Sequence, residues 1–167
     1  CGYFSPSSLK RAFQLAGMKV NEVEETFDGQ FLVIHAEVTQ TSVEVDAVDP
    51  ALERLAKGFA DSFREKIAEW RKVLQKAQSS GQRIVAWGAG SKGNSFLNAV
   101  GQNVSAIVDI NPKKRGKFVA GTGQPIVAPE QLADLPPSLV VIMNPVYQGE
   151  IAARLSELGF EPRLMVA

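Results

Sequence analysis

Ile84-Val85-Ala86-Trp87-Gly88-Ala89-Gly90-Ser91-Lys92-Gly93-Asn94 is the stretch that decides the fold. Four apolar residues in succession suit a strand covered on both faces, and the glycine-rich turn leads straight into a helix with Phe96, Leu97 and Val100 on its apolar face. Downstream the alternation continues. Ala106-Ile107-Val108 reads as a second strand, Ile126-Val127 as a short third and Leu139-Val140-Val141-Ile142 as a fourth. Pro129-Glu130-Gln131-Leu132 opens a helix, and Ile151, Ala152, Leu155 and Leu158 line another that Gly159 ends before a last strand, Arg163-Leu164-Met165-Val166. Buried strands separated by helices predict an α/β fold, with a parallel sheet carrying helices on both faces, over residues 81–167.

Upstream of that stretch the register changes. Leu52, Leu55, Phe59, Phe63, Ile67, Trp70, Leu74 and Ala77 recur every three or four residues, which predicts one long helix from Pro50 to Ala77, capped by Asp49. At 1.5 Å per residue it would reach about 42 Å, long enough to connect two domains. Before it, Ser5-Pro6-Ser7 starts a helix carrying Leu9, Ala12, Phe13 and Ala16, which Gly17 stops. Val20, Val23 and Phe27 then lead to a two-residue hairpin turn at Asp28-Gly29, and the return strand runs from Phe31 to Val38 with Phe31, Val33 and His35 on one face. A helix and one hairpin hold too little core to fold alone, so residues 1–49 are expected to be the last corner of a domain whose body lies upstream. Residues 50–80 are then the connecting helix. Charge follows the same division: residues 1–49 carry three basic and eight acidic side chains, residues 51–79 seven and four, and residues 80–167 eight and six.

The chain has 167 residues, 45% hydrophobic and 22% charged, which suffices for a real core and rules out disorder. Lysine plus arginine equals aspartate plus glutamate at 18 each, without the basic surplus of a nucleic-acid-binding module. One cysteine excludes an internal disulfide or a zinc ribbon and suits a reducing, cytoplasmic compartment. No apolar run reaches about 18 residues, so no membrane partner is expected. Cys1-Gly2-Tyr3-Phe4-Ser5 is neither a charged nor an apolar leader, and without an initiator methionine the chain is expected to be cut from a longer protein.

The glycines form a full G-x-G-x-x-G, Gly88 to Gly93, and Asp109 closes the next strand 21 residues after Gly88. That is the context of a Rossmann-like dinucleotide fingerprint: the loop lets a phosphate approach free N–H groups at a helix N-terminus, and the acid accepts ribose hydroxyls. Three readings stay open. The loop holds NAD or a similar nucleotide, or a methyl donor, or it makes a tight turn and binds nothing. About 80 residues follow Trp87, too few for a complete methyltransferase fold with its terminal hairpin. Lys113-Lys114-Arg115-Gly116-Lys117 is either an attractor for a diphosphate or a solvated turn after Asn111-Pro112. Gly121-Thr122-Gly123-Gln124-Pro125 reads as a loop whose backbone can line a cleft. Asn144 and Tyr147, at the carboxyl end of the fourth strand, offer hydrogen bonds where ligands of open parallel sheets sit, while Glu150 supports a helix start. His35, the single histidine, has no acidic partner that the sequence places and reads as structural; Cys1 carries no argument.

Taken together, Trp87 to Asn94, then Val108-Asp109-Ile110-Asn111-Pro112-Lys113-Lys114-Arg115-Gly116, then Gly121-Thr122 with Pro125-Ile126, resemble the C-terminal domain of sugar C-methyltransferases. Asn144 and Glu150-Ile151 continue the likeness, and Tyr3-Phe4-Ser5 with the helix and hairpin resembles the closing segment of that family's central methyltransferase domain. The chain departs from the pattern at Gly123, where a histidine is common, and at Met143, where a tryptophan is common. The resemblance implies a parent with an N-terminal zinc-binding module, a central domain binding S-adenosylmethionine, and this C-terminal domain facing a nucleotide-linked sugar. It implies substrate or nucleotide contacts from Gly88, Ala89, Gly90, Ser91, Lys92, Gly93, Asn94, Asp109, Asn144 and Tyr147. It also implies that the catalytic base and the donor site lie before Cys1, leaving this fragment inactive alone with no cofactor or metal residues of its own. The partners it implies are the sugar nucleotide and the upstream methyltransferase domain, with homo-oligomerisation left open.

Overall fold

The chain divides into two compact units, Cys1–Asp61 and Ser62–Ala167. The computed structural model describes residues 3–101 and 103–167; Cys1 and Gly2, the first residues of the stretch read above as no leader, lie outside the described residues.

In the first unit, helix α1 (Pro6–Leu15) starts where a serine can close it. Ser5 Oγ accepts the Ser8 backbone N–H at 3.2 Å and Ser8 Oγ accepts that of Ser5 at 2.9 Å, a reciprocal cap with Pro6 in the first turn. Strands β1 (Met18–Thr26) and β2 (Phe31–Val38) then pair antiparallel, with a register shift between Val20 and Glu22. Because Thr26 pairs with Phe31, the hairpin loop is residues 27–30 and not the two-residue turn expected at Asp28-Gly29. Phe27 leaves the ladder and sets its ring edge-on to Phe31, with centroids 5.9 Å apart, and Phe27, Asp28 and Gly29 all take positive φ to bring the chain around. Phe31, Val33 and His35 do share a face, and it is the exposed one; Leu32, Ile34 and Ala36 are half-buried on the other. His35 also has the acidic partner that sequence did not place. Its Nε2 lies 3.1 Å from Glu24 Oε1, diagonal across the strand pair.

Residues 39–49 have no regular structure and run back to α1. Lys10 pairs with Asp46 at 2.8 Å, Arg11 donates to the Asp46 carbonyl, and the buried Gln14 accepts the Asp46 N–H at 3.1 Å. The hydrogen bond from Lys10, then that from Gln14, holds the Asp46 carboxyl below its ordinary range. Asp49 caps α2 (Ala51–Ser79) by accepting the Ala51 N–H at 2.8 Å.

The second unit is built on β3 (Ile84–Trp87), helix α3 (Ser91–Val100), β4 (Ala106–Val108), β5 (Ile126–Val127), β6 (Leu139–Ile142), helix α4 (Gln148–Glu157) and β7 (Arg163–Val166). The strands fall where the apolar runs predict them and form one parallel sheet in the order β5-β4-β3-β6-β7. Alternate residues serve opposite faces. Ile84, Ala86, Ile107, Leu139 and Val141 pack with Phe96 and Leu97 of α3 and with Trp70, Leu74 and Ala77 of α2. Val85, Trp87, Val108, Val140 and Ile142 pack with Leu132 and with Ile151 and Leu155 of α4. The expected helix after β5 is shorter than the sequence suggested, a five-residue 3-10 turn at Pro129–Ala133, because Pro136 and Pro137 cannot continue it. Among the described residues, no helix is long and apolar enough to cross a membrane.

Candidate functional site

A cleft of about 570 Å³ opens at the carboxyl ends of the central strands. Trp87, Ile110, Met143 and Ile151 give it apolar walls, the glycine loop with Ser91 and Lys92 forms one rim, and Asn144, Tyr147, Glu150 and Arg154 form the other. Here the chain leaves β3 toward β4 on one side while β6 lies on the other, the crevice where open parallel sheets bind ligands.

The three fingerprint glycines are glycine for different reasons. Gly88 has φ +111, a backbone state that side chains resist, and its N–H bonds the Val108 carbonyl at 2.8 Å. At Gly93 a Cβ would stand 2.1 Å from the Gly88 carbonyl oxygen and 2.9 Å from Ile107 Cδ1, so α3 packs on the strand only without one. Gly90 has an ordinary φ of −88, and a Cβ there would meet no atom within 4 Å. Neither conformation nor packing inside the protein asks for glycine at that point. Gly90 also occupies the N-cap position of α3, and having no side chain it makes no side-chain cap of its own. The helix dipole favours an anion at that end of α3.

Asp109 is where the sequence puts a ligand hydroxyl, and its carboxylate already serves the protein. Oδ2 accepts the Ala89 N–H and the Lys114 ammonium, each at 2.9 Å, and Oδ1 accepts the Asn111 N–H at 2.9 Å. A carboxylate has about four acceptor positions, so one remains on Oδ1. Lys114 Nζ also donates to the Ala89 carbonyl at 3.0 Å. The basic cluster is in the main the exposed turn that the sequence allowed, with Lys113, Arg115 and Lys117 exposed and Lys114 half-buried against the glycine loop. Lys114 is tied to the glycine loop, Arg115 lies 3.9 Å from Glu130, and the Lys113 N–H is capped by Asn111 Oδ1 at 3.0 Å.

Of the ten site residues named from sequence, the cleft brings together eight, all but Ala89 and Asn94. Ala89 is core, and Asn94 is half-buried on α3. The loop at residues 121–125 contributes nothing to this cleft and seats on α3 instead. Asn98 Nδ2 bridges the Asn94 and Ala120 carbonyls, and a Cβ on Gly121 would stand 2.1 Å from Asn98 Oδ1. Asn144 Oδ1 accepts the Val146 N–H at 3.2 Å and so shapes the turn that presents Tyr147. Sequence reasoning missed Trp87, Ile110, Met143, Glu150, Ile151 and Arg154 as lining residues. Ile110 and Met143 follow just after the ends of β4 and β6, and Ile151 and Arg154 lie one and two helical turns beyond Tyr147, so the signal was present in the spacing.

Arg154 is anchored by Glu130 and Glu157, both at 2.8 Å, which ties α4 to the turn after β5. The hydrogen bond to Glu157, then that to Glu130, raises the Arg154 guanidinium further above its ordinary range. Glu130 is held below the usual carboxylate range, first by its own backbone N–H and then by Arg154.

Two comparisons with known proteins bear on this geometry. A family described as C-methyltransferase C-terminal domain matches residues 32–161. The protein described as C-methyltransferase NovU from Streptomyces niveus is 29% identical over 164 residues, covering 89% of this chain and 39% of that relative. The chain thus spans well under half the length of that relative, and the family match runs from within β2 through α4. The chain belongs to the C-methyltransferase C-terminal domain family.

Proposed function

We propose that this chain is the substrate-binding part of an S-adenosylmethionine-dependent C-methyltransferase acting on a nucleotide-linked sugar in the cytoplasm. The observation that carries the reading is Gly90, a glycine with no internal reason to be one, at the N-cap of α3 on the rim of the cleft. Its backbone is open to the close approach of a phosphate, the part that the middle glycine plays in dinucleotide loops. The strand order, running outward from a central β3 to both sides, is that of a doubly wound Rossmann-like sheet and supports the same reading. Asn144 and Tyr147 line the sugar side, and Asp109 offers its one remaining acceptor position to a hydroxyl.

The methyl donor fits this cleft poorly. Its ribose carries two vicinal hydroxyls, while Asp109 has three of its acceptor positions taken by Ala89, Asn111 and Lys114. The donor and the base that removes a proton beside the sugar carbonyl accordingly belong to an upstream methyltransferase domain that residues 1–49 complete. Residues 50–80 connect it to the Rossmann-like domain at 81–167. On this reading the chain alone binds substrate and does not methylate it.

Thermal unfolding with a dTDP-linked sugar, NAD or S-adenosylmethionine at millimolar concentration tests the assignment. A ligand that binds only the native state adds about 2.7 kcal/mol at a hundredfold excess over Kd, a shift of several degrees at this size. The expected result is a shift with the sugar nucleotide alone. A shift with NAD alone replaces this reading with a non-catalytic dinucleotide module. No shift with any of the three leaves the loop a structural element.

A further inference from the structure

The backbone of the glycine loop is gripped by a charge pair at Ala89, which is core and does not line the cleft. The Ala89 N–H donates to Asp109 at 2.9 Å and its carbonyl accepts from Lys114 at 3.0 Å, while Lys114 and Asp109 close the ring at 2.9 Å. Both polar groups of one peptide residue are thus taken by the two members of a single ion pair. The fold brings Lys114 there by a short 3-10 turn, Pro112–Lys114, in which the Lys114 N–H bonds the Asn111 carbonyl at 3.0 Å.

We infer that Lys114 is a positioning residue that keeps the glycine loop receptive to an anion, by cancelling the Asp109 charge at the cleft wall and by fixing the Ala89 peptide. This rests on the reading above that the loop takes the phosphate part of a ligand. Asp109 is 7% exposed, so its charge is weakly screened, and it lines the cleft beside the α3 N-terminus. A phosphate at that terminus would meet this carboxylate as a like charge. With Asp109 included, the charged groups lining the cleft only balance, Lys92 and Arg154 against Asp109 and Glu150, and Arg154 is held by Glu130 and Glu157. Lys114 is therefore the cation that tips the site toward an anion. Its ammonium acts through Asp109 and Ala89, since it is not itself part of the cleft lining.

The test uses Lys114→Gln, which keeps a donor and loses the charge, and Lys114→Arg, which keeps the charge. Wild type and both variants are titrated with inorganic pyrophosphate, thymidine diphosphate and thymidine, following the backbone amide signals of residues 88–93 by NMR. The expected result is that Lys114→Gln weakens pyrophosphate and thymidine diphosphate on the order of tenfold to a hundredfold. Thymidine is unaffected, and Lys114→Arg restores most of the loss. Equal weakening of thymidine and the anions, or no weakening of the anions, overturns the inference. If Lys114→Gln does not fold, Lys114→Met, which is isosteric along the stem, replaces it under the same criteria. Pyrophosphate moving the loop amides while thymidine diphosphate binds no tighter sinks the nucleotide reading alone, and the variants still judge Lys114 on pyrophosphate. If no anion moves those amides in the wild type, both fall.

Discussion

The two units bury their chains in opposite ways. In the second, β3, β4, β5 and β6 are buried at every position and two apolar clusters fill the space on either side of the sheet. In the first, the one buried side chain among the described residues is Gln14, a polar group, while Tyr3, Phe27, Phe31 and Phe59 are exposed. The difference is one of cohesion. Burial of apolar area holds the second unit, whereas hydrogen bonds and ion pairs hold the first: the Ser5–Ser8 cap, the Asp46 ties to Lys10, Arg11 and Gln14, and the β1–β2 ladder.

The comparison breaks most readily at the core. Leu97 is fully buried on α3, so Leu97→Ala removes its methyl groups from a close-packed site and is expected to cost about 2–5 kcal/mol. Leu32, half-buried on β2, has little to lose, and Leu32→Ala is expected to cost about 1 kcal/mol or less. Urea unfolding of the two variants decides it, and equal losses would mean that the first unit has a core as consequential as the second.

A smaller effect sharpens the contrast within the second unit, between two glycines three residues apart. Gly93→Ala drives a methyl group into the Gly88 carbonyl and Ile107, and overpacking of this kind costs about 1–3 kcal/mol. Gly90→Ala enters open space at an ordinary φ and should leave stability within about 1 kcal/mol of wild type. Its effect is expected on ligand affinity, because the new methyl occupies the approach to the α3 N-terminus. Paired melting and calorimetric titration separate the two roles. A Gly90→Ala variant that binds as wild type removes the loop from the ligand's path.

The architecture of the second unit was legible because its signals are local. Apolar runs of two to four residues mark each strand, and glycine, serine and proline mark the turns between them. Much of the cleft was legible for the same reason, since ligands of a parallel sheet gather at strand ends that the sequence locates. What could not be read is the direction in which polar side chains spend their bonds. Asp109 was visible as an acid at a strand end, but its donors come from Ala89 on the preceding strand's turn and from Lys114 in a cluster that looks solvated. The hairpin loop escaped for a related reason. Asp28-Gly29 is a strong turn signal, yet the Phe27 ring contact with Phe31 widens the loop.

The smallest effect separates the units by acid. Asp46 in the first unit and Glu130 in the second are exposed carboxyls held below their ordinary range, Asp46 chiefly by Lys10 and Glu130 by its own backbone N–H and then Arg154. A depressed carboxyl contributes stability that is fully present above its unfolded value and is lost as pH falls through the folded one, so the Glu130 contribution fades below 4.5 and the Asp46 contribution below 3.8. The consequence differs between the units. Releasing Glu130 loosens α4 at its surface while Ile151 and Leu155 stay packed on the sheet. Releasing the Asp46 carboxyl removes its ion pair with Lys10 and leaves residues 39–49 tied to α1 by the backbone bonds to Arg11 and Gln14, with no buried apolar cluster among the described residues of that unit to back them. Amide signals of α1 and residues 39–49 are therefore expected to lose protection only as the pH falls below the ordinary aspartate value of 3.8, while those of β3 and β6 persist. Asp46→Asn should bring that loss to neutral pH, since the ion pair with Lys10 is then absent throughout. Simultaneous loss in both units would show that the sheet's core and the ties of the first unit fail as one, and the contrast in cohesion would not survive it.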